Sequence, residues 1–583
     1  METRRLILFF IFTFSLVMLY SEWQKLQQKT AAANAPPSVA KDGGSPGAAA
    51  VPAAPAAPAA GVAAVPGAGP APQAAAVPGA TPAPAAAPQV AVAPVASQAP
   101  VAAPTPSRAV IVTDVVRAEI VSEGADLRMV ELSQHKDTID PKRAFVLLGP
   151  HNHFAQTGLL AQGVDLPTHR TPFALVPGET TLKPGQDKLS VRFEAQAGAV
   201  RVAKIYTFHR GKYAIDVAYE IANGGAAPLA PSVYLQFVRD GKAPAGESQF
   251  LMTFTGAVFY NDREKFLKQD FADIEKGKPV PTKPAPDGWV GMIQHYFASA
   301  WIPQGTGQRE FYSRKVAENL YSAGVIVPAG SIAPGASGRF ESKLWVGPQD
   351  QDSLKPLAAG LDLVVDYGWL TIIAQPMFWL LKWLYSVFGN WGLAIIGLTV
   401  IIKAVFFPLS AASYKSMARM KKVTPRLTAL RERYGNDRMK MNQAMMELYK
   451  EEKINPLGGC FPILVQIPVF IALYWVLLAS VEMRNAPFYG WIKDLSAQDP
   501  YYILPIIMAI SMFVQTKMNP TPPDPLQAKM MTIMPIVFSI FFFFFPAGLV
   551  LYWVVNNVLS IAQQWQITRM IESGEDPDKK KKK

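Results

Sequence analysis

The chain has 583 residues, half of them hydrophobic, and its 56 lysines and arginines against 44 aspartates and glutamates give a formal charge of +12. That length points to several domains, and a single cysteine, Cys460, excludes an intramolecular disulfide. No P-loop pattern occurs, so the sequence supplies no machinery for hydrolysing a nucleotide.

Arg4 and Arg5 precede an apolar run over residues 6–20, followed by polar residues rather than by a small-residue cleavage site. Residues 1–22 are expected to form an uncleaved signal-anchor transmembrane helix with its N-terminus inside. Residues 23–107 become almost entirely Ala, Pro, Val and Gly from residue 31 onward. Such a segment cannot bury a core, and its prolines forbid long helices, so it is expected to be a disordered tether.

Residues 108–350 read as strands. Alternation marks residues 110–116, 188–194, 200–208 and 213–221, with His209–Arg210–Gly211–Lys212 as a hairpin turn. Further strands are expected at residues 232–238, 251–260, 289–301, 323–327 and 340–346. Many strands with little helical periodicity imply a large antiparallel β-sandwich. All six histidines fall here. His151–Asn152–His153 would put two imidazoles on one strand face, which is too little to imply a metal site, and no metal is expected.

Residues 351–390 form a connector and an amphipathic helix expected to lie at the membrane interface, because residues 369–388 are apolar and aromatic yet hold Pro376 and Lys382. Residues 391–570 make up a membrane core. Its apolar runs cover residues 393–409, 456–480, 501–514, 530–545 and 549–567, the last two joined by Pro546–Ala547–Gly548. With the signal anchor these give six spans. The basic segment 410–456, the loop bearing Lys517 and Lys529, and the basic tail 571–583 then all face the cytoplasm, as the positive-inside rule requires. The expected fold is thus a six-helix membrane protein with a large periplasmic β-sandwich and a cytoplasmic helical hairpin.

In the hairpin, Met417, Met420, Val423, Leu427, Leu430 and Tyr434 recur at helical spacing, Gly435–Asn436 stops the first helix, and Asp437 caps a second carrying Met441, Met445 and Leu448. The methionines suit packing between the two helices, or a surface for varied apolar segments. Lys421, Lys422, Arg426, Arg431 and Arg433 give the hairpin its charge. Within the spans, Lys403 is the clear cation, costing roughly 2.5–3.5 kcal/mol at a bilayer centre. It either snorkels toward the cytoplasmic surface or joins a polar stripe with Thr399 one turn away. Gln466, Gln515, Asn556, Asn557, Gln563 and Gln564 are suited to interhelical hydrogen bonds, or, gathered on facing helices, to lining a wet groove. Tyr552 and Trp553 lie near the outer part of the last span. Cys460 sits in an apolar run and reads as a packed thiol.

Three strings carry a resemblance: Asn455–Pro456–Leu457–Gly458–Gly459–Cys460–Phe461–Pro462 with Gln466 and Pro468; Asp494–Leu495–Ser496–Ala497–Gln498–Asp499–Pro500–Tyr501–Tyr502; and Phe545–Pro546–Ala547–Gly548–Leu549–Val550–Leu551–Tyr552. They resemble the YidC insertase family over residues 368–569, and Gly288–Trp289–Val290–Gly291–Met292 with Trp301–Ile302–Pro303 resembles its Gram-negative form. The resemblance implies a bacterial inner-membrane insertase and chaperone that moves nascent membrane proteins into the bilayer without covalent chemistry or cofactor. It further implies a Sec-type translocon and a ribosome or targeting receptor as partners, and a β-supersandwich similar to sugar mutarotases. By position, the family's groove falls on Thr399, Lys403, Tyr552 and Trp553, to which the polar residues Gln466, Gln515 and Asn556 are added. The family usually carries arginine where this sequence has Lys403, which keeps the charge and loses the planar fork. The alternatives are a secondary transporter, which would need matched repeats and broken helices, and a membrane-anchored periplasmic sugar-modifying enzyme, which would leave the spans and the hairpin unused.

Overall fold

The computed structural model describes residues 108–244, 253–305, 307–435, 437–452, 461–519 and 525–573. The signal anchor expected at 1–22, the tether at 23–107, Cys460 and the tail lysines lie outside the described residues.

The first half is two antiparallel sheets. One runs in the order Arg108–Val112, Val116–Val121, Asp126–Lys136, His153–Leu160, Ser232–Asp240, Leu320–Pro328, Glu310–Ala317, with Ala144–Leu148 paired beside Asp126–Lys136. The other runs Lys265–Gln269, Gly256–Asn261, Trp289–Gln294, Phe297–Pro303, Ser337–Pro348, Ala214–Asn223, Val200–His209, Lys188–Ala197, Ala174–Leu175. Alternation explains their stacking. Along Ser232–Asp240 the core takes Val233, Leu235 and Phe237, and on the neighbouring Leu320–Pro328 it takes Ala323, Val325 and Val327. Two expected strands are each two. Thr113 Oγ1 accepts from the backbone N–H groups of Val115 and Val116 at 3.3 and 3.0 Å, turning the chain within 110–116. Tyr296, at φ +68°, turns it within 289–301.

Eight helices of 14 residues or more follow among the described residues, the third and fourth forming the hairpin. They are α1 (Thr371–Phe388), α2 (Trp391–Val405), α3 (Phe407–Tyr434), α4 (Arg438–Glu451), α5 (Phe461–Ala479), α6 (Ile503–Met518), α7 (Pro525–Phe542) and α8 (Ala547–Glu572). The run expected at 393–409 breaks early. α2 ends at Phe406, and α3 begins with Pro408 in its first turn, where a missing N–H costs nothing, at 66° to α2. Among the described residues no single helix is long and apolar enough to cross a membrane, and α2 with α3 passes that test only as a bent pair. Helix length and apolarity therefore do not by themselves define six spans.

The β domain and the helices share one apolar cluster, which runs from Tyr260, Trp289 and Trp345 through Leu361 and Tyr367 to Phe378, Leu473 and Leu551. Polar contacts fix the same junction. Trp289 Nε1 donates to Ala359 O at 3.0 Å. Arg484 donates to Thr138 Oγ1 at 3.1 Å with its guanidinium over the rings of Phe145 and Phe297. His295 Nε2 lies 2.9 Å from the carbonyl of Leu478 at the end of α5. Burial pulls the His295 imidazole down to about 4, so it is neutral and donates that bond. On the outer side of α1, Ile372, Trp379, Trp383, Val387 and Phe388 stay exposed while Phe378, Leu381 and Leu384 are buried. The helix is thus two-sided, with one face buried and an apolar face exposed.

Candidate functional site: a polar stripe between helices with one cation

The stripe is written on α8. Asn556, Asn557, Ser560, Gln563 and Gln564 fall at intervals of one, three and four, and all are buried. That spacing puts them along one side of a helix. Val558 and Trp565, seven apart, are exposed on the other side. Asn557 Nδ2 donates to Ser511 Oγ of α6 at 2.8 Å, and Gln564 Nε2 donates to Asn519 Oδ1 at 3.0 Å. Gln563 Nε2 reaches the carbonyl of Phe407, at the α2–α3 bend, at 3.4 Å.

Lys403 of α2 joins this stripe. Its side chain is half-buried, and Nζ donates to Ser560 Oγ at 2.7 Å. The ammonium is thus drawn sideways onto α8. No carboxylate lies within ion-pair reach of Lys403 among the described residues. Thr399 is buried one turn earlier, but its hydroxyl donates to Ile395 O of its own helix at 2.7 Å, so its proton is committed there.

The remaining residues divide. Gln466 and Tyr552 are buried, and among the described residues neither Gln466 Nε2 nor the Tyr552 hydroxyl has a hydrogen-bond partner. Gln564 Oε1 is likewise unpartnered. Buried polar atoms left without partners are costly, so each marks a position suited to another polar group. Trp553 stacks on Phe470 of α5 at 5.5 Å and contacts Phe542 of α7. Tyr552 meets Phe470 at 5.8 Å. Gln515 is half-buried and joins none of these bonds. Ser560 and Ser511 were missed by the sequence reading. The signal was present, since Asn556, Ser560 and Gln564 are spaced by four, but serine is common in spans and drew no notice.

At the β-domain end the stripe is closed. The loop after α5 straps the α7–α8 turn. Ala547 N donates to Ala497 O at 2.7 Å, and Gly548 N to Leu495 O at 2.8 Å. A Cβ on Gly548 would sit 3.1 Å from Leu495 O, so the close approach favours glycine. Leu477, Leu478, Met483, Leu495, Pro546 and Leu549 line the space beneath, which has no room for a water molecule. Asp499, 2% exposed, accepts from Trp491 Nε1 at 2.9 Å, Tyr501 N at 3.1 Å and, through Oδ2, Leu504 N at 2.7 Å. It therefore holds the strap to the first turn of α6.

In the hairpin, Val423, Leu427 and Leu448 pack with Met420, Leu430 and Met445, which is the core role for those methionines. Met439 and Met446 are exposed. Lys422 and Arg426 have work inside the chain. Lys422 Nζ donates to Ile571 O at 3.0 Å, a favourable cation at the C-terminus of α8. Arg426 pairs with Glu452 at 2.6 Å. Arg433 lies over the Tyr434 ring at 5.5 Å, and Lys421 is exposed. The side chain of Arg431 lies outside the described residues. In the β domain, His151 is exposed in a turn while His153 is buried with Nδ1 3.0 Å from Leu147 O, so the pair does not share a strand face. No cluster of three metal-ligating side chains occurs among the described residues.

The helical core thus has a closed apolar end and an internal polar stripe that holds Lys403, and it is attached to a β-sandwich. Residues 108–380 match the family described as the YidC periplasmic domain, and residues 383–575 match that described as the 60Kd inner membrane protein. A protein of Aromatoleum aromaticum named membrane protein insertase YidC is 55% identical over 578 residues, covering 98% of each chain. One of Dechloromonas aromatica with the same name is 54% identical over 580 residues, again covering 98% of each. A solved structure described as an active YidC insertase with the first transmembrane domain resolved is 17% identical, covers 79% of this chain and 92% of that one, and superposes with a TM-score of 0.37. The chain belongs to the YidC family of membrane protein insertases, proteins of the bacterial inner membrane that perform no covalent chemistry.

Proposed function

We propose that this chain inserts its clients through a wet groove formed by the stripe of α2, α5, α6 and α8, with Lys403 as its working charge. Six spans cross the membrane. Both termini, the hairpin and the 571–583 tail are cytoplasmic, the β domain is periplasmic, and α1 lies in the outer interface. A client's polar outer segment must otherwise traverse about 30 Å of hydrocarbon. A groove polar from the hairpin end and closed at the β-domain end shortens that dry path, and Lys403 gives acidic residues a counter-charge. The membrane potential then favours outward movement of each negative charge by roughly 2.3 kcal/mol per 100 mV. The client helix leaves sideways into lipid, driven by its own apolar surface. The hairpin's basic face receives the ribosome or a targeting receptor, a Sec-type translocon shares some clients, and no cofactor takes part.

The observation that carries this reading is Lys403 turned onto α8, without a carboxylate partner among the described residues, in a stripe holding unpartnered polar atoms. At about 6 Å and an effective dielectric of about 40, between protein and water, the attraction to a client carboxylate is about 1.4 kcal/mol, or tenfold. The test uses paired clients that differ only in Asp or Asn in the translocated segment, at matched insertase levels. Lys403→Arg should keep the wild-type Asp/Asn ratio, Lys403→Ala should lower it up to about tenfold, and Lys403→Glu should lower it most. An alanine variant with the wild-type ratio would show that Lys403 only anchors its helix.

A further inference from the structure

Ser560 lies where three helices meet, and its hydroxyl both donates and accepts. A serine hydroxyl has one proton and two lone pairs. Here the proton goes to Asn556 O at 2.7 Å, one turn back along α8. The oxygen accepts from Lys403 Nζ of α2 at 2.7 Å, and Tyr414 of α3 is a close neighbour. Ser560 is 4% exposed, so water does not compete freely for these sites. Tyr414 packs in turn on Ala418, Ile567 and Ile571, where the root of the hairpin meets the end of α8.

We infer that Ser560 is a positioning residue for the groove's cation, and that it sets where along the stripe the ammonium stands. The inference rests on the groove reading above and adds to it a means of holding the charge. A lysine stem is long and flexible, and an ammonium in a span otherwise turns toward the nearest headgroups. A neutral hydroxyl is the fitting anchor. It holds the ammonium by one charge-assisted bond without cancelling its charge, whereas a carboxylate at the same place would neutralise it.

The test uses the full-length chain in membranes with the same Asp/Asn client pair. Ser560→Ala should lower Asp-client insertion about fivefold, the factor one net hydrogen bond supplies, and move the Asn client less than twofold. Ser560→Thr keeps the hydroxyl and should restore the wild-type ratio, which loss of packing alone would not predict. Lys403→Ala/Ser560→Ala should be no worse than Lys403→Ala. If Ser560→Ala keeps the ratio that Lys403→Ala loses, Ser560 does not position the cation and the groove reading stands without it. A second readout is independent of clients: acylation of the Lys403 amine, followed by peptide mass spectrometry. Release of the ammonium in Ser560→Ala should speed acylation about fivefold. An unchanged rate overturns the inference even if Lys403 proves irrelevant to clients.

Discussion

Replacing Asp499 by asparagine should loosen the strap that closes the groove. The carboxylate accepts two bonds at Oδ1, from Trp491 Nε1 and Tyr501 N, and one at Oδ2, from Leu504 N. Asparagine keeps an oxygen for the first pair but places an amide NH2 where Oδ2 stood, donor against donor. Losing a bond to a charged acceptor costs about 2 kcal/mol and leaving a buried N–H unpaired about 1 more; relief of carboxylate burial returns about 1 kcal/mol, for a net of about 2. Alanine removes all three bonds and should cost about 4 kcal/mol. The loss falls on the segment whose Leu495 and Ala497 carbonyls hold Gly548 and Ala547, so it reads out as local opening of the strap. Leu495 is buried at 1% exposure, so Leu495→Cys, in a chain whose Cys460 is replaced by serine, labels only on opening. At about 1.4 kcal/mol per factor of ten, labelling should rise about thirtyfold in Asp499→Asn and toward a thousandfold in Asp499→Ala. Labelling within twofold of wild type in both variants would refute the assignment of Asp499 as the strap's anchor.

Two further outcomes are expected. Inside the β domain Lys204 and Asp126 are both 0% exposed, 3.4 Å apart, and burial pushes Asp126 up from 3.8 to about 6 while drawing Lys204 down from 10.5 to about 8. A raised carboxylate contributes stability below its unfolded pKa and loses it as pH rises through about 6; a lowered lysine contributes above 10.5 and loses it as pH falls through about 8. The pair's contribution is therefore least between about 6 and 8, and thermal melting of the full-length protein, followed by its β-sheet infrared band, should show that trough in wild type and lose it in Asp126→Asn/Lys204→Met. An unchanged trough in the double variant would assign it to other groups. Topology is tested at two exposed sites, Ile139→Cys at 70% and Met439→Cys at 84%: an impermeant thiol reagent on intact spheroplasts should reach the first and not the second, and labelling of position 439 before lysis would sink the six-span arrangement.

The β-sandwich was legible because period-two alternation survives in strands such as Lys188–Ala197 and Val200–His209. Strands such as His153–Leu160 were not, because that strand is buried on both faces and shows no alternation. The hairpin was legible from its stripe and from Asp437, whose side chain caps α4 by accepting from Lys440 N at 3.1 Å. The bend at Phe406 was not, because apolar residues continue across it and only Pro408 marks a new first turn. At the site, polar residues inside apolar runs picked out Lys403, Gln466 and Asn556, and the resemblance added Tyr552; the fold places all four on the helices of the stripe. Gln515 lies outside its hydrogen bonds, and Lys422 is engaged with the end of α8. Ser560 was the residue least visible in sequence, since its meaning lies in its bond to Lys403 of another helix.

The most direct test of the groove is site-specific photo-crosslinking to an arrested nascent membrane protein from two sides of α8. Probes at Trp553 and Asn556 lie on the stripe, and probes at Val558 and Trp565 lie on the exposed side. Strong crosslinks to the client's first apolar segment are expected from Trp553 and Asn556, and weak ones from Val558 and Trp565. Equal yields from both sides, or crosslinks confined to Val558 and Trp565, would contradict it.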